Sequence, residues 1–160
     1  MKAITVNGNE YKLEFGFEAV EHKELVKKMF DIVSGAIFVK SAKDLSKPTS
    51  EDMIDGSGNM IAELPHICVT AFYAGLLENN PVPQDEAKTL MKAYMKENKL
   101  SFKMLYEELR QCMEDDGFFD LSGLTEMIQK MNEQMEGTEE EDPKTENKET
   151  PKQKSQTSTK

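Results

Sequence analysis

The N-terminal run Met1-Lys2-Ala3-Ile4-Thr5-Val6-Asn7-Gly8-Asn9-Glu10-Tyr11-Lys12-Leu13-Glu14-Phe15-Gly16-Phe17 constrains the fold more than any other stretch of the chain. Ile4 and Val6 fall on one side of an extended segment, and Tyr11, Leu13 and Phe15 alternate with Lys12 and Glu14 in the next. Between them stands Asn7-Gly8, a pair that tolerates positive φ at both centres of a type I′ turn. The chain therefore opens with a β-hairpin, one face apolar and one face wet. A two-stranded hairpin is not stable alone in water, so the apolar face needs a platform, and everything after it reads as helix. The predicted fold is mainly α: a short N-terminal β-hairpin packed on a bundle of about four or five helices, with a disordered C-terminal tail.

A first helix is predicted from Glu18 to about Ile32, with Val20, Leu25, Met29, Ile32 and Val33 as its apolar stripe. Lys23, Glu24, Lys27 and Lys28 form its solvated face. Ser34-Gly35 ends or interrupts it, and Ala36-Ile37-Phe38-Val39 reads equally as a short strand or a helix end. Leu45 to Asn59, with Pro48, Gly56 and Gly58, is predicted to be a mobile loop. The next helix starts near Asn59 or Leu64 and runs to Asn79; Pro65 is tolerated in a first turn and kinks a helix interior. Ile67, Cys68, Ala71, Phe72, Gly75 and Leu76, with Val69, Ala74 and Leu77 beside them, make it apolar nearly all round, the mark of a buried central helix. Asn79-Asn80-Pro81-Val82-Pro83 stops it. Gln84 to Asn98 is a third helix with acidic Asp85 and Glu86 in its first turn. Ser101 caps a fourth, which carries Phe102, Leu105, Leu109 and Met113 and ends at Asp116-Gly117. A fifth runs from about Leu121 to Met135, with Leu124, Met127, Ile128, Met131 and Met135 at helical spacing.

From Gly137 to Lys160 no large apolar residue appears, so this segment cannot bury enough surface to offset its ordering entropy. The predicted organisation is a folded domain over 1–136 and a disordered polar tail over 137–160, acidic first and basic near its end. The formal net charge is −10 and Arg110 is the one arginine, which argues against nucleic acid as a direct partner. No basic amphipathic face suits an anionic membrane, and no apolar run approaches a membrane span or a signal-peptide core. Cys68 and Cys112 sit in apolar helical segments and read as reduced core thiols in a reducing cytoplasm.

Chemistry is sparse. An acidic, Met-rich chain without Trp invites a calcium-sensor test, and Asp52 and Glu63 have the twelve-residue separation of an EF-hand loop. Ile54, Gly56 and Ser57 then stand where two ligands and the turn glycine belong. Starting at Asp55 fails at Met60 and His66, and Gly117 puts Cys112 in the first ligand position. For zinc, His66 and Cys68 are two apart and point to different helix faces, His22 has no local partner, and no CxxC exists. No nucleophile elbow, phosphate-cradling glycine loop or HExxH motif is present, and Asp115-Asp116 reads as a solvated helix end. The expectation is a non-enzyme without cofactor or metal. Most of the eleven Met fill core at helical spacing. Met113, Phe118, Phe119, Met127, Met131 and Met135 are nonetheless candidate partner-binding residues, because flexible thioethers make surfaces adaptable to varied helices.

The hairpin with its Phe15-Gly16-Phe17 ending resembles the start of the tail assembly chaperones of long-tailed, siphophage-type bacteriophages of Gram-positive hosts. The central helix with Ala71-Phe72-Tyr73-Ala74-Gly75-Leu76 is similar to that family's second landmark. A Pro-containing loop and an acid-led helix, Gln84-Asp85-Glu86-Ala87, follow in the family's order. The resemblance covers roughly residues 1–100, and its motifs are structural rather than catalytic. It implies a protein that binds the tape measure protein, a long, helical, aggregation-prone chain, and keeps it soluble in the host cytoplasm while tube subunits polymerise around it. It further implies absence from the mature virion and a contact with tail tube protein through a frameshifted longer form; many weak copies along one long chain gain from multivalency, so self-association along the bound chain is expected as well. An adaptor or regulatory module for one folded partner, and a structural virion protein, are the alternatives of other classes.

Overall fold

The computed structural model describes residues 1–39 and 49–136. The hairpin forms from β1 (Lys2–Val6) and β2 (Asn9–Leu13), antiparallel, in the register Lys2↔Leu13 through Val6↔Asn9. Asn7 and Gly8 both take positive φ, 50° and 79°, so the turn twists with the strands it joins. Ile4, Val6, Leu13 and Phe15 are buried and Ala3, Thr5 and Lys12 exposed, the alternation anticipated from the sequence.

Eight helices follow among the described residues, and five of them have eleven residues or more. They are α1 (Phe17–Glu21), α2 (Lys23–Val33), α3 (Ala36–Val39), α4 (Ser50–Leu76), α5 (Gln84–Asn98), α6 (Phe102–Asp115), α7 (Phe118–Leu121) and α8 (Leu124–Glu136). The hub is α4, against which α1, α2, α3, α5, α6 and β2 pack, while β1 lies on α5. Ile67, Cys68, Ala71, Phe72, Ala74 and Leu76 of α4 are all buried, as expected of a central helix apolar nearly all round.

The hairpin meets the hub at Gly75. A Cβ there would stand 3.0 Å from Phe15 Cζ, so the ring occupies the space that a side chain would need. The Glu14 amide donates to the Gly75 carbonyl at 2.8 Å, and this satisfies one of the orphan acceptors at the end of α4. Phe15 then lies edge-on to Phe118 (centroids 6.3 Å apart), and its amide donates to Asp116 Oδ2 at 2.9 Å. The strand exit is thereby held from two sides.

Three sequence expectations are corrected. The single helix over Glu18 to Ile32 is broken at His22, whose Nδ1 accepts the Leu25 amide as an N-cap and whose ring stands edge-on to Tyr73. Of the predicted loop over Leu45 to Asn59, Ser50 to Asn59 is instead the start of α4, and Leu45 to Pro48 lie outside the described residues. Thr49 closes a capping box with Asp52: the Asp52 amide donates to Thr49 Oγ1 at 3.2 Å and the Thr49 amide to Asp52 Oδ2 at 2.8 Å. Gly56, which looks like a loop residue, is where α3 crosses; a Cβ would lie 2.0 Å from the Phe38 carbonyl oxygen. Helix α4 also continues through Pro65, deep in its interior, and the hydrogen bond lost falls at the carbonyl of Ile61, a residue 68% exposed. Third, the expected fifth helix, placed from about Leu121, starts at Leu124 as α8, and a separate short helix, α7, precedes it across Ser122-Gly123, where Gly123 takes φ 76°. Ala36–Val39, open between strand and helix end, is helix. The tail expected over 137–160 lies outside the described residues.

Candidate functional site

The break at His22 and the turn at Gly123 together create an open, largely apolar groove. Val20, Val26 and Phe30 from the α1–α2 side face Leu124 and Met127 of α8, with Ser122 and Gly123 at the floor, around a groove of about 390 Å³. Leu124 is buried and anchors the first turn of α8, while Met127, one turn on, is 50% exposed. Lys23 and Lys27, one helical turn apart on α2, stand at the rim; both are exposed. Neither has a carboxylate within ion-pair reach among the described residues. Nearby, Phe17 of α1 and Leu121 of α7 are exposed large apolar residues, and α1 packs on α7.

The six residues singled out from sequence part company here. Met113 and Phe118 are core: Met113 is 1% exposed, Phe118 is fully buried against Phe15 and Phe119, and neither reaches a surface. Phe119 is half-buried beside them, Met127 lines the groove, and Met131 is half-buried one turn further along α8. The side chain of Met135 lies outside the described residues. The groove residues of α1 and α2 escaped sequence reasoning because Val20 reads as core stripe, Val26 and Phe30 fall outside the stripe assigned to this helix, and Lys23 and Lys27 look like an ordinary wet face. Only the tertiary meeting of α2 with the start of α8 makes them one site.

Other openings are poorer. A cleft of about 620 Å³ between α2, α3 and α4 is lined by Ile37 and Ile67 but also by Glu24, Asp31, Glu63, Lys27 and Lys28, with Lys28 between Glu24 (3.8 Å) and Glu63 (3.5 Å). Where β1, α5 and α6 meet, the Tyr94 hydroxyl and Lys2 Nζ both donate to Glu108. Burial, reinforced by the Glu108 carboxylate, holds the Tyr94 hydroxyl far above the usual phenol range, so it acts as a donor and not as a base. Burial also pushes the Cys68 thiol up to about 12, and its Sγ donates to the Phe102 carbonyl; Cys112 is raised for the same reason. A thiol so placed is a poor nucleophile and a poor ligand. His66 is exposed while Cys68, two residues on, is buried, and the Asp52–Glu63 stretch tested as a calcium loop is continuous helix. Among the described residues, no three His, Cys, Asp or Glu side chains gather to hold a metal ion, and no helix is long and apolar enough to cross a membrane.

Fold and groove together define a class by architecture: a hairpin-headed helical domain with an open apolar slot edged by lysines. Comparison of the chain with protein-family models, with curated proteins and with solved structures found no match.

Proposed function

We propose that this protein is a tail assembly chaperone of a long-tailed bacteriophage, which binds the tape measure protein and keeps it soluble while the tail tube assembles around it. The observation that carries this is an open apolar groove with a flexible Met127 wall on a strongly acidic domain. A holdase must cover apolar helix without adding an aggregating surface of its own, and net charge of one sign keeps the complexes apart. The Phe15-Gly16-Phe17 ending and the Ala71–Leu76 landmark support the same assignment, because they are the residues that join hairpin to hub. Work in the host cytoplasm, absence from the finished particle, a longer frameshifted form reaching tail tube protein, and copies associating along one bound chain complete the proposal. Weak individual contacts suffice when many copies engage one long chain.

The test is co-expression with the tape measure protein encoded in the same genome. The expected result is that the long chain stays soluble only in this company and co-purifies with several copies. If it precipitates regardless, or is rescued equally by a variant with Met127→Glu and Phe30→Asp, the proposal fails.

A further inference from the structure

On α2 the residues Lys23, Val26, Lys27 and Phe30 recur at i, i+3, i+4 and i+7, so they share one face of the helix, away from the buried Leu25 and Met29. Val26 and Phe30 form a wall of the groove, and the two lysines follow its outer edge. Among the described residues they are the only charges that line it; the opposite wall, from α8, is apolar Leu124 and Met127. Lys28 of the same helix is served by Glu24 at 3.8 Å and Glu63 at 3.5 Å, whereas Lys23 and Lys27 have no carboxylate in ion-pair reach among the described residues. Two like charges one turn apart repel each other, and a carboxylate brought beside each relieves that repulsion. On a chain with 30 acidic and 20 basic residues, the groove is thus a local exception, cationic along one edge and uncharged along the other.

The groove is walled by helices and by the Ser122-Gly123 turn, with no sheet edge to pair the backbone of an extended segment. A helix satisfies its own backbone and presents side chains alone, so it enters such a slot without stranding polar groups. We propose that the α2–α8 groove selects, along its long client, helical segments that carry two carboxylates one turn apart on one flank of the apolar stripe. Lys23 and Lys27 are four residues apart, about 6 Å along α2, the rise that separates acidic residues at i and i+4 of a helix lying alongside it. Met127, half exposed and unbranched, adapts the far wall to differing apolar side chains, so the apolar fit stays permissive while the lysines set the choice. The acidic flank then lies against α2 and never against α8.

This rests on the helix-binding reading of the groove and adds to it a rule for which segments are taken. The probes are three synthetic amphipathic peptides of about 20 residues, identical except for two flank positions one turn apart, which hold Glu, Gln or Lys. The three residues have nearly equal helix propensity, so differences report charge. Binding to the full chain is followed by fluorescence anisotropy at about 0.15 M salt, where the net charge of the domain is screened over about 8 Å and contact pairs are screened least. The Glu peptide is expected to bind about fivefold more tightly than the Gln peptide, and the Lys peptide more weakly than either. Lys23→Gln with Lys27→Gln is expected to bring the Glu and Gln peptides level, and Lys23→Glu with Lys27→Glu to make the Lys peptide the best of the three. Lys88→Gln with Lys92→Gln, an exposed pair of the same spacing on α5, changes net charge equally and is expected to leave the order intact. Met127→Glu is expected to weaken all three. Equal binding of the three peptides, an order unchanged by the Lys23 and Lys27 variants, an order lost in the Lys88 and Lys92 variant, or indifference to Met127→Glu would each overturn the rule. Rescue of the tape measure protein on co-expression without an acidic preference would sink this inference alone. An acidic preference without rescue would sink the proposed function and leave the groove a helix-docking site.

Discussion

Replacing Gly75 by Ala sets two effects of known sign against each other, and the structure decides which prevails. In an exposed helix interior the change stabilises by about 1 kcal/mol, because Ala loses less backbone entropy. Here the new methyl would stand 3.0 Å from Phe15 Cζ and 3.4 Å from Phe15 Cε1 and Leu13 Cδ2. Phe15 is fully buried with Phe118 behind it, so the ring has little room to retreat. Overpacking of this kind costs about 1–3 kcal/mol, which leaves a net loss of about 1 kcal/mol at the middle of that range. Phe15→Leu removes the ring edge at a cost on the order of 1–2 kcal/mol of its own. In that background the methyl meets only Leu13, and Gly75→Ala becomes stabilising by up to about 1 kcal/mol. The change of sign corresponds to a coupling of about 2 kcal/mol, well above the few tenths found between independent sites. Urea unfolding of the wild type, both single variants and the double variant, followed by circular dichroism at constant m, measures it. If Gly75→Ala stabilises equally in both backgrounds, the hairpin does not sit this close to α4.

Three further perturbations have expected outcomes. Asp116→Ala strands the Phe15 amide that donates to it at 2.9 Å and should cost about 1–3 kcal/mol; Asp116→Asn loses the ion pair with the Met1 ammonium just as Ala does but keeps an acceptor for the amide, so it should cost distinctly less, and equal losses would count against the amide bond. Thr49→Ala removes one half of the capping box and should cost about 1 kcal/mol, with faster amide exchange confined to the first turns of α4. Because the Cys68 thiol is pushed up to about 12 in the fold, against about 8.5 in an unfolded chain, the native state holds its proton more tightly. That contribution is whole below pH 8.5 or so and is lost as pH rises toward 12, so the melting temperature should fall over this alkaline window, less steeply in Cys68→Ala. An identical slope in both proteins would contradict the burial argument.

The parts of the fold legible in the sequence are those specified by neighbouring residues. Asn7-Gly8 between alternating runs determines the hairpin, and the Ser101 cap and the acid-led start at Gln84 locate α6 and α5, the latter to its observed bounds. What was not legible is where one helix answers to another. Gly56 and Gly58 read as loop because glycine usually punctuates, yet Gly56 is there so that the α3 backbone can lie directly on α4. The break at His22 has no Gly or Pro to announce it; its ring stands against Tyr73, 51 residues further on by sequence number. The groove suffered most, since half of it comes from α2 and half from α8. Met113 and Phe118 entered the candidate set for their residue type, but the spacing that marks an apolar stripe does not say which of its members face inward.

The hairpin's fastening to Asp116 spans 101 residues of sequence, and the Lys2–Glu108 contact spans 106. During synthesis the strands therefore leave the ribosome several seconds before α6 exists to receive them, at about 5–20 residues per second. Throughout that interval the strands can rest on α4 and α5 alone, and Phe15 lacks the Asp116 and Phe118 contacts that hold it from the other side. The N-terminal strands are made before the helices yet are closed in only when α6 and α7 arrive. Completion of the domain is thus timed by the arrival of α6, and refolding should be slower than the helical content alone suggests.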